Sequence, residues 1–318
     1  MNQRPAKSSL VLRLLGSVLL IPGLALASPF AYVPNEKSGT VSVIDVASDS
    51  VVADIKAGSK PRGLAIAGNR LYVSDQPANV LVVIDLASRK PGGTVALGES
   101  PEGVSASADG NWIVAASEVS NAVSFIDVAT GQKAFSVTTE GKNPEHAVFS
   151  PDGKLLLVSA EEADSVDVVD VAQRKQVASV KVGMRPRGIA FRPDGAVAYV
   201  ACELASTVYA IDVPGRKVIK EIKAGNFSNG VTMSPDGKRV YVSNGKDGSV
   251  SVIDTASNAV VATIPVGKRP WNMAITPDGS KLYVANGRSN SVSVIDTASN
   301  TVSKEISVGE MPWGVVIQ

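Results

Sequence analysis

The sequence predicts an all-β protein made of seven similar units, and three observations support this. An Asp that follows an apolar residue recurs at intervals of 40 to 43 residues, at Asp45, Asp85, Asp127, Asp170, Asp212, Asp254 and Asp296. Short apolar runs rich in Val, Ile and Tyr lie between these positions. Turns such as Pro277-Asp278-Gly279 separate the runs. Short strands and tight turns at this period are typical of a seven-bladed β-propeller.

Each unit is expected to supply four strands, which we call a to d in chain order. In one copy, strand a covers residues 188–191, strand b contains Tyr199-Val200, strand c covers residues 207–211 and strand d covers residues 218–222. Strands a and b are almost continuously apolar, as expected of inner strands that neighbouring blades cover on both faces.

The two ends of the repeat region predict how the ring closes. Residues 30–35 have the pattern of a strand b without a strand a before it, and residues 312–317 have the pattern of a strand a with nothing after it. We therefore predict that the C-terminal strand completes the N-terminal blade, which removes an exposed sheet edge.

Residues 1–27 differ from the repeats. Arg4 and Lys7 precede an apolar run over residues 14–26 that ends in Ala25-Leu26-Ala27. This is the pattern of a secretory signal peptide cleaved after Ala27, leaving one propeller domain over residues 28–318. A membrane anchor would need about 20 apolar residues, and Arg13 and Pro22 make this run too short. A periplasmic monomer is therefore expected.

Charge and cysteine content narrow the possible partners. The predicted signal removes three of the 31 Lys and Arg residues, leaving 28 against 30 Asp and Glu. A nearly neutral chain argues against nucleic-acid binding, which depends on clustered positive charge. Cys202 is the only cysteine, so it forms no intrachain disulfide; we expect it to be a small buried residue.

Several motifs resemble the YVTN-type β-propeller repeat. They are Tyr283-Val284-Ala285-Asn286, Tyr241-Val242-Ser243-Asn244, Val252-Ile253-Asp254 and Ser234-Pro235-Asp236-Gly237. The resemblance covers residues 30–318. Asn35-Glu36 and Pro312 to Val316 are further similar to single-domain proteins associated with PQQ-dependent alcohol catabolism. That resemblance implies an exported accessory of quinone-linked oxidation and supplies no catalytic residues to carry over.

Sequence variation between copies indicates one functional face. The Pro-Asp-Gly hairpins of the opposite face are nearly uniform, whereas the d-to-a loops vary. The position after the loop proline carries Arg62, Glu102, Glu145, Arg187, Asn229, Trp271 and Trp313. Arginine and tryptophan are common binding anchors. The predicted ligand or partner surface comprises Arg62, Glu102, Glu145, His146, Arg187, Arg269, Trp271 and Trp313.

His146 is the only histidine and replaces the Gly that usually opens strand a. Near the channel it could act as a general base or metal ligand, with Glu102 or Glu145 as catalytic partners. The alternative is a polar residue that fills space in an irregular loop.

Glutamates also recur at one position of the b-to-c loop, at Glu36, Glu118, Glu161 and Glu203. Carboxylates suit Ca²⁺, so a cation in the channel is one possibility. Pairing with nearby Lys and Arg is the other.

No nucleophile and base motif, metal cluster or nucleotide loop is evident in the sequence. The favoured hypothesis is therefore an exported, non-catalytic binding or scaffold protein. It would recognise a small anionic ligand or a partner protein in a periplasmic, quinone-linked oxidation or transport system. The alternative is a lactonase-like hydrolase or isomerase with its site in the central channel around His146.

Overall fold

The structure is a computed structural model that describes residues 1–2 and 29–318. Apart from its first two residues, the predicted signal peptide lies outside the described residues. The chain forms seven four-stranded antiparallel sheets, each made of strands adjacent in sequence except for the first, which also takes the last strand. The prediction of an all-β, seven-bladed propeller is confirmed.

Blade 1 contains β1 (Phe30–Asn35), β2 (Thr40–Asp45), β3 (Ser50–Lys56) and β28 (Val316–Ile317). Blade 2 contains β4 (Pro61–Ala67), β5 (Arg70–Asp75), β6 (Val80–Asp85) and β7 (Lys90–Ala96). Blade 3 contains β8 (Pro101–Ala106), β9 (Trp112–Ser117), β10 (Ala122–Asp127) and β11 (Gln132–Thr138). Blade 4 contains β12 (Pro144–Phe149), β13 (Leu155–Ala160), β14 (Ser165–Asp170) and β15 (Lys175–Lys181).

Blade 5 contains β16 (Pro186–Phe191), β17 (Val197–Cys202), β18 (Thr207–Asp212) and β19 (Lys217–Lys223). Blade 6 contains β20 (Ser228–Met233), β21 (Arg239–Asn244), β22 (Ser249–Asp254) and β23 (Ala259–Pro265). Blade 7 contains β24 (Pro270–Ile275), β25 (Lys281–Asn286), β26 (Ser291–Asp296) and β27 (Thr301–Ser307). Within the described residues the helical structure is one 3₁₀ turn, Glu161–Ala163. None of the described helices is long and apolar enough to cross a membrane.

The C-terminal strand closes the ring as predicted. β28 pairs antiparallel with β1, placing Val316 opposite Tyr32 and Ile317 opposite Ala31. The Trp313 amide donates a 3.0 Å hydrogen bond to the carbonyl of Pro34. The first blade therefore has its full set of four strands.

The hydrophobic core lies between neighbouring blades. Strands a and b are buried, while the outer strands d are largely exposed; in β19 only Ile222 is buried. Five strand-b tyrosines are almost fully buried, at Tyr32, Tyr72, Tyr199, Tyr241 and Tyr283. Because each blade covers the next, stability comes from burial around the whole ring.

Glycine keeps the central channel narrow. The a strands of adjacent blades contact one another around the axis. At the third position of strand a, a Cβ added to Gly63 would lie 2.2 Å from the carbonyl oxygen of Glu102, and one added to Gly230 would lie 2.4 Å from that of Trp271. Five blades have Gly there, and the other two have His146 and Asn272. These two side chains therefore occupy the axis.

Candidate functional site

His146 is held in the channel by aromatic and polar contacts. Its ring stacks on Trp313 with centroids 5.4 Å apart and an interplanar angle of 10°. The side chain of Asn272 lies near the imidazole. The backbone amide of His146 donates a 3.0 Å hydrogen bond to the Ser159 hydroxyl. The same strand-b hydroxyl fixes Gly63 through Ser74, so the repeat itself positions the histidine.

The imidazole of His146 is arranged to be neutral at neutral pH. Burial lowers its pKa from the ordinary 6.5; Glu145 opposes the shift and the Arg187 guanidinium reinforces it. The Nδ1 atom is buried and has no hydrogen-bond partner among the described residues. A buried nitrogen without a partner is costly unless water or a ligand satisfies it. His146 can therefore accept a proton.

A cavity of about 160 Å³ is lined in part by Trp313, the residue on which His146 stacks. It is lined by Arg62, Glu118, Glu145, Arg185, Arg187, Asn229, Arg269, Trp271, Asn272 and Trp313. His146 is not itself a lining residue, but it stacks on Trp313 and is only half-buried. Most of the cavity wall is polar, because it comes from the variable positions of the d-to-a and b-to-c loops.

Arg187 is the centre of an ion-pair network at one side of the cavity. Its Nη1 contacts Glu145 and lies 2.7 Å from Glu161 Oε1, and its Nε is 3.0 Å from Glu203 Oε2. Arg269 Nη2 is 2.6 Å from Glu203 Oε1. Bidentate and shared contacts of this kind fix the guanidinium planes, so Arg187 and Arg269 are pre-positioned at the cavity wall.

A second group of ion pairs, centred on Arg62, lies in the neighbouring blades. Arg62 Nε is 3.2 Å from Glu36 Oε2, and its Nη1 contacts Glu102. The Gln76 amide donates a 2.6 Å hydrogen bond to Glu102 Oε1. Glu102 is fully buried, and burial, then repulsion from Glu145, raises its pKa to about 9. Glu102 therefore supports Arg62 from behind the cavity.

Three carboxylates converge beside Arg187. Single oxygens of Glu118, Glu145 and Glu161 lie within 4.8 Å of one another. Burial, followed by Glu145, raises the pKa of Glu161 to about 7 and also raises the pKa of Glu118. Burial opposes ionisation of Glu145, but Arg187, His146, a hydrogen bond with Glu118, and Arg62 together lower the pKa of Glu145.

The predicted cation ring falls into two groups in the structure. Glu118 and Glu161 belong to this carboxylate cluster, which has the oxygen donors that could hold a cation. Glu36 and Glu203 lie outside that cluster and form ion pairs with arginine, as Glu161 also does. Cation binding by the four glutamates stays a prediction.

Substituting Glu102 tests its unusual ionisation. The pKa of Glu102 is about 9 in the folded chain and near 4.5 in the unfolded chain. The protonated carboxyl group therefore contributes its full stabilisation of the fold below pH 4.5. That contribution is lost as the pH rises toward 9. Gln does not titrate, so between these limits the free energy of unfolding of the wild type should fall relative to Glu102→Gln. The difference should grow by up to about 1.4 kcal/mol per pH unit.

Urea unfolding of both proteins from about pH 5 to about pH 9 measures this difference. Parallel pH dependences of the two free energies of unfolding would show that Glu102 ionises normally.

The structure brings most of the predicted site residues together. Arg62, Glu145, Arg187, Arg269, Trp271 and Trp313 line the cavity, whereas Glu102 and His146 are not among its lining residues. Sequence reasoning missed Asn272 and Arg185. Asn272 occupies the same repeat position as His146, so aligning the seven copies at that position could have revealed it. The buried state of Cys202 is confirmed, and burial raises the pKa of its thiol to about 12.

The fold and the cavity define a seven-bladed β-propeller with a polar site formed by residues of several blades. A family model described as "Lactonase, 7-bladed beta-propeller" matches residues 138–310, more than half of the chain. The chain belongs to this lactonase family. Comparison with curated proteins gives no match.

Solved structures share the fold at low sequence identity. The chain is similar to the hydrazine synthase of Kuenenia stuttgartiensis, with 24% identity and a TM-score of 0.77 over 84% of this chain and 92% of that chain. A functionally unknown protein of Desulfotomaculum acetoxidans has 18% identity and a TM-score of 0.80 over 91% and 98%. A putative 6-phosphogluconolactonase of Bacteroides fragilis has 20% identity and a TM-score of 0.76 over 92% and 98%. These likenesses concern the fold.

Family membership overturns the favoured hypothesis of a non-catalytic binding or scaffold protein and favours the lactonase-like alternative. The sequence misled because a variable rim with Arg and Trp is expected of a binding surface and of an active site alike. The residues near His146, among them Arg187, Asn272 and Trp313, come from other blades, so they form no local sequence motif with it.

Proposed function

We propose that the protein is a lactonase-like hydrolase or isomerase whose site is the central channel around His146. The observation that carries the proposal is the imidazole of His146. It is kept neutral by burial, has an unpartnered Nδ1 and lies beside Arg187. Family membership supports the same reaction class. A neutral histidine next to a fixed guanidinium combines a base with a site for developing negative charge.

The residues suit ring opening of a cyclic ester by water. His146 accepts a proton from water as the water oxygen attacks the ester carbonyl carbon. The negative charge that develops on the carbonyl oxygen is stabilised by a cavity guanidinium, for which Arg187 is the best placed. The ring C–O bond then breaks, and the alkoxide takes the proton back from His146. The product is a hydroxy acid, and the enzyme is regenerated unchanged.

A turnover screen tests this function. The purified protein is incubated with γ- and δ-lactones of several classes, and the acid released is followed with a pH indicator. We expect saturable opening of at least one class at a rate proportional to protein concentration. If folded wild-type protein opens none of the lactones, the proposal is wrong.

A periplasmic location is part of the proposal. The signal-like pattern of residues 1–27 supports it. So do the resemblance of Tyr283 to Asn286 to the YVTN-type repeat and the resemblance of Asn35-Glu36 and Pro312 to Val316 to PQQ-associated proteins. Oxidation of a cyclic hemiacetal yields a lactone, so a periplasmic lactonase would act directly after such a quinone-linked oxidation. Cell fractionation with N-terminal sequencing should find a monomer that begins at Ser28 in the periplasm. A cytoplasmic chain that keeps its first residues would contradict this location.

A further inference from the structure

Two glycines at the channel mouth make room for flat side chains. At the b-to-c loop position where the other blades carry Glu or Gln, blades 6 and 7 carry Gly245 and Gly287. A Cβ on Gly287 would lie 3.0 Å from Cε3 and 3.1 Å from Cζ3 of Trp271. A Cβ on Gly245 would lie 3.1 Å from Nη1 of Arg269. Because Gly287 has no side chain, the indole of Trp271 can pack directly against the backbone of Gly287.

The cavity wall is consequently divided into two halves. The ion-paired glutamates and most of the arginines come from blades 1 to 5, and Arg269 joins them from the loop that leads into blade 7. The remaining part, which we call the aromatic-amide wall, carries no charge and consists of Asn229, Trp271, Asn272 and Trp313. Trp313 is buried against His146, whereas Trp271 is only half-buried. Trp271 thus offers an indole surface that a ligand can reach.

The four arginines of the charged half are all in contact with glutamate carboxyl groups. Arg62 contacts Glu36 and Glu102, Arg185 and Arg187 both contact Glu161, and Arg269 contacts Glu203. A phosphate entering the cavity would have to displace a glutamate from an arginine and approach Glu118 in the wall.

We propose that the substrate is an uncharged lactone with a planar ring system, that this ring stacks on Trp271, and that Trp271 determines specificity. The inference rests on the proposed lactonase function and names the substrate class of that site. The carbonyl oxygen of such a lactone needs only one guanidinium that is not fully occupied by its glutamate partners, and the charged half provides it. The aromatic-amide wall covers the apolar body of the lactone. Offset stacking of two aromatic rings contributes roughly a 2- to 12-fold preference beyond area burial.

Two lactones of opposite character test the inference. Dihydrocoumarin is uncharged and fused to a benzene ring, whereas 6-phosphogluconolactone is a non-planar dianion. We expect the wild type to open dihydrocoumarin with at least about a tenfold higher kcat/KM. Trp271→Leu should raise the KM for dihydrocoumarin by about tenfold with little change in kcat, because it removes binding shared by ground state and transition state. Trp271→Phe keeps the stacking and should recover most of the loss.

Gly287→Ala provides a second variant that leaves the indole in place. Its added Cβ displaces Trp271 from its seat, so the KM for dihydrocoumarin should rise in the same direction. Melting temperatures near the wild-type value show that each variant is folded. If the wild type prefers the phosphorylated lactone, or if Trp271→Leu leaves the KM for dihydrocoumarin unchanged, the inference is wrong. If other lactones are opened and dihydrocoumarin is not, the inference fails while the proposed function stands; if no lactone is opened, the proposed function itself fails.

Discussion

Deleting residues 312–318 is expected to unfold or aggregate the protein. The deletion removes β28 from blade 1 and exposes the edge of β1. It also removes Trp313 and Val315, which are 7% and 5% exposed. Burying each such side chain contributes about 1.5–3 kcal/mol, and the lost strand contacts add to this. The total is comparable to the roughly 5–15 kcal/mol that stabilises a whole domain.

Thermal unfolding followed by circular dichroism measures the effect of the deletion. Removing Gln318 alone is the matched control, because it costs one backbone hydrogen bond, to Phe30, and no buried side chain. The control should melt close to the wild type. A seven-residue truncation with an unchanged melting temperature would contradict closure of the ring by the C-terminal strand.

Replacing His146 by Gly should lower kcat by about 10²- to 10⁴-fold, the usual contribution of a general base. Gly is the informative substitution because five other blades have Gly at this position. The variant restores the common repeat residue and is expected to fold, although it loses the stacking on Trp313. Turnover of the best lactone of the screen is the measurement.

Adding free imidazole to the His146→Gly variant distinguishes the loss of a catalytic base from structural damage. His146→Gly leaves space where the ring was, so free imidazole should restore part of the rate if the lost group is a base. Asn is a second control, because Asn272 shows that this side chain fits at the equivalent position of blade 7. His146→Asn should fold and remain slow. Full activity in either variant would rule out His146 as the base.

Most of the fold could be predicted because the same local sequence pattern is repeated in each blade. The recurring Asp, the Pro-Asp-Gly turns and the apolar runs fix strand number and order, and the mismatched pattern of residues 30–35 and 312–317 predicts the closure. The variable d-to-a positions likewise predicted Arg62, Arg187, Trp271 and Trp313 as cavity residues.

The partners of these residues could not be predicted in the same way. Arg187 contacts glutamates from three separate segments, Glu145 of β12, Glu161 of the 3₁₀ turn and Glu203 after β17, and no sequence spacing specifies which one it meets. The role of Gly287 depends on the position of an indole from another loop. The choice between binding and catalysis depends on the burial of His146, which appears only when the seven a strands surround the channel axis.

The most direct test of the account is an NMR titration of His146, because it is the only histidine and gives one unambiguous imidazole signal once any purification tag is removed. The Cε1 proton resonance is followed between about pH 5 and pH 8, with and without the hydroxy acid product of the best lactone. The account predicts a pKa below 6.5 and a resonance that shifts when the product binds. A pKa of 6.5 or higher, with a resonance that the product does not move, would contradict a neutral base in a substrate-binding channel.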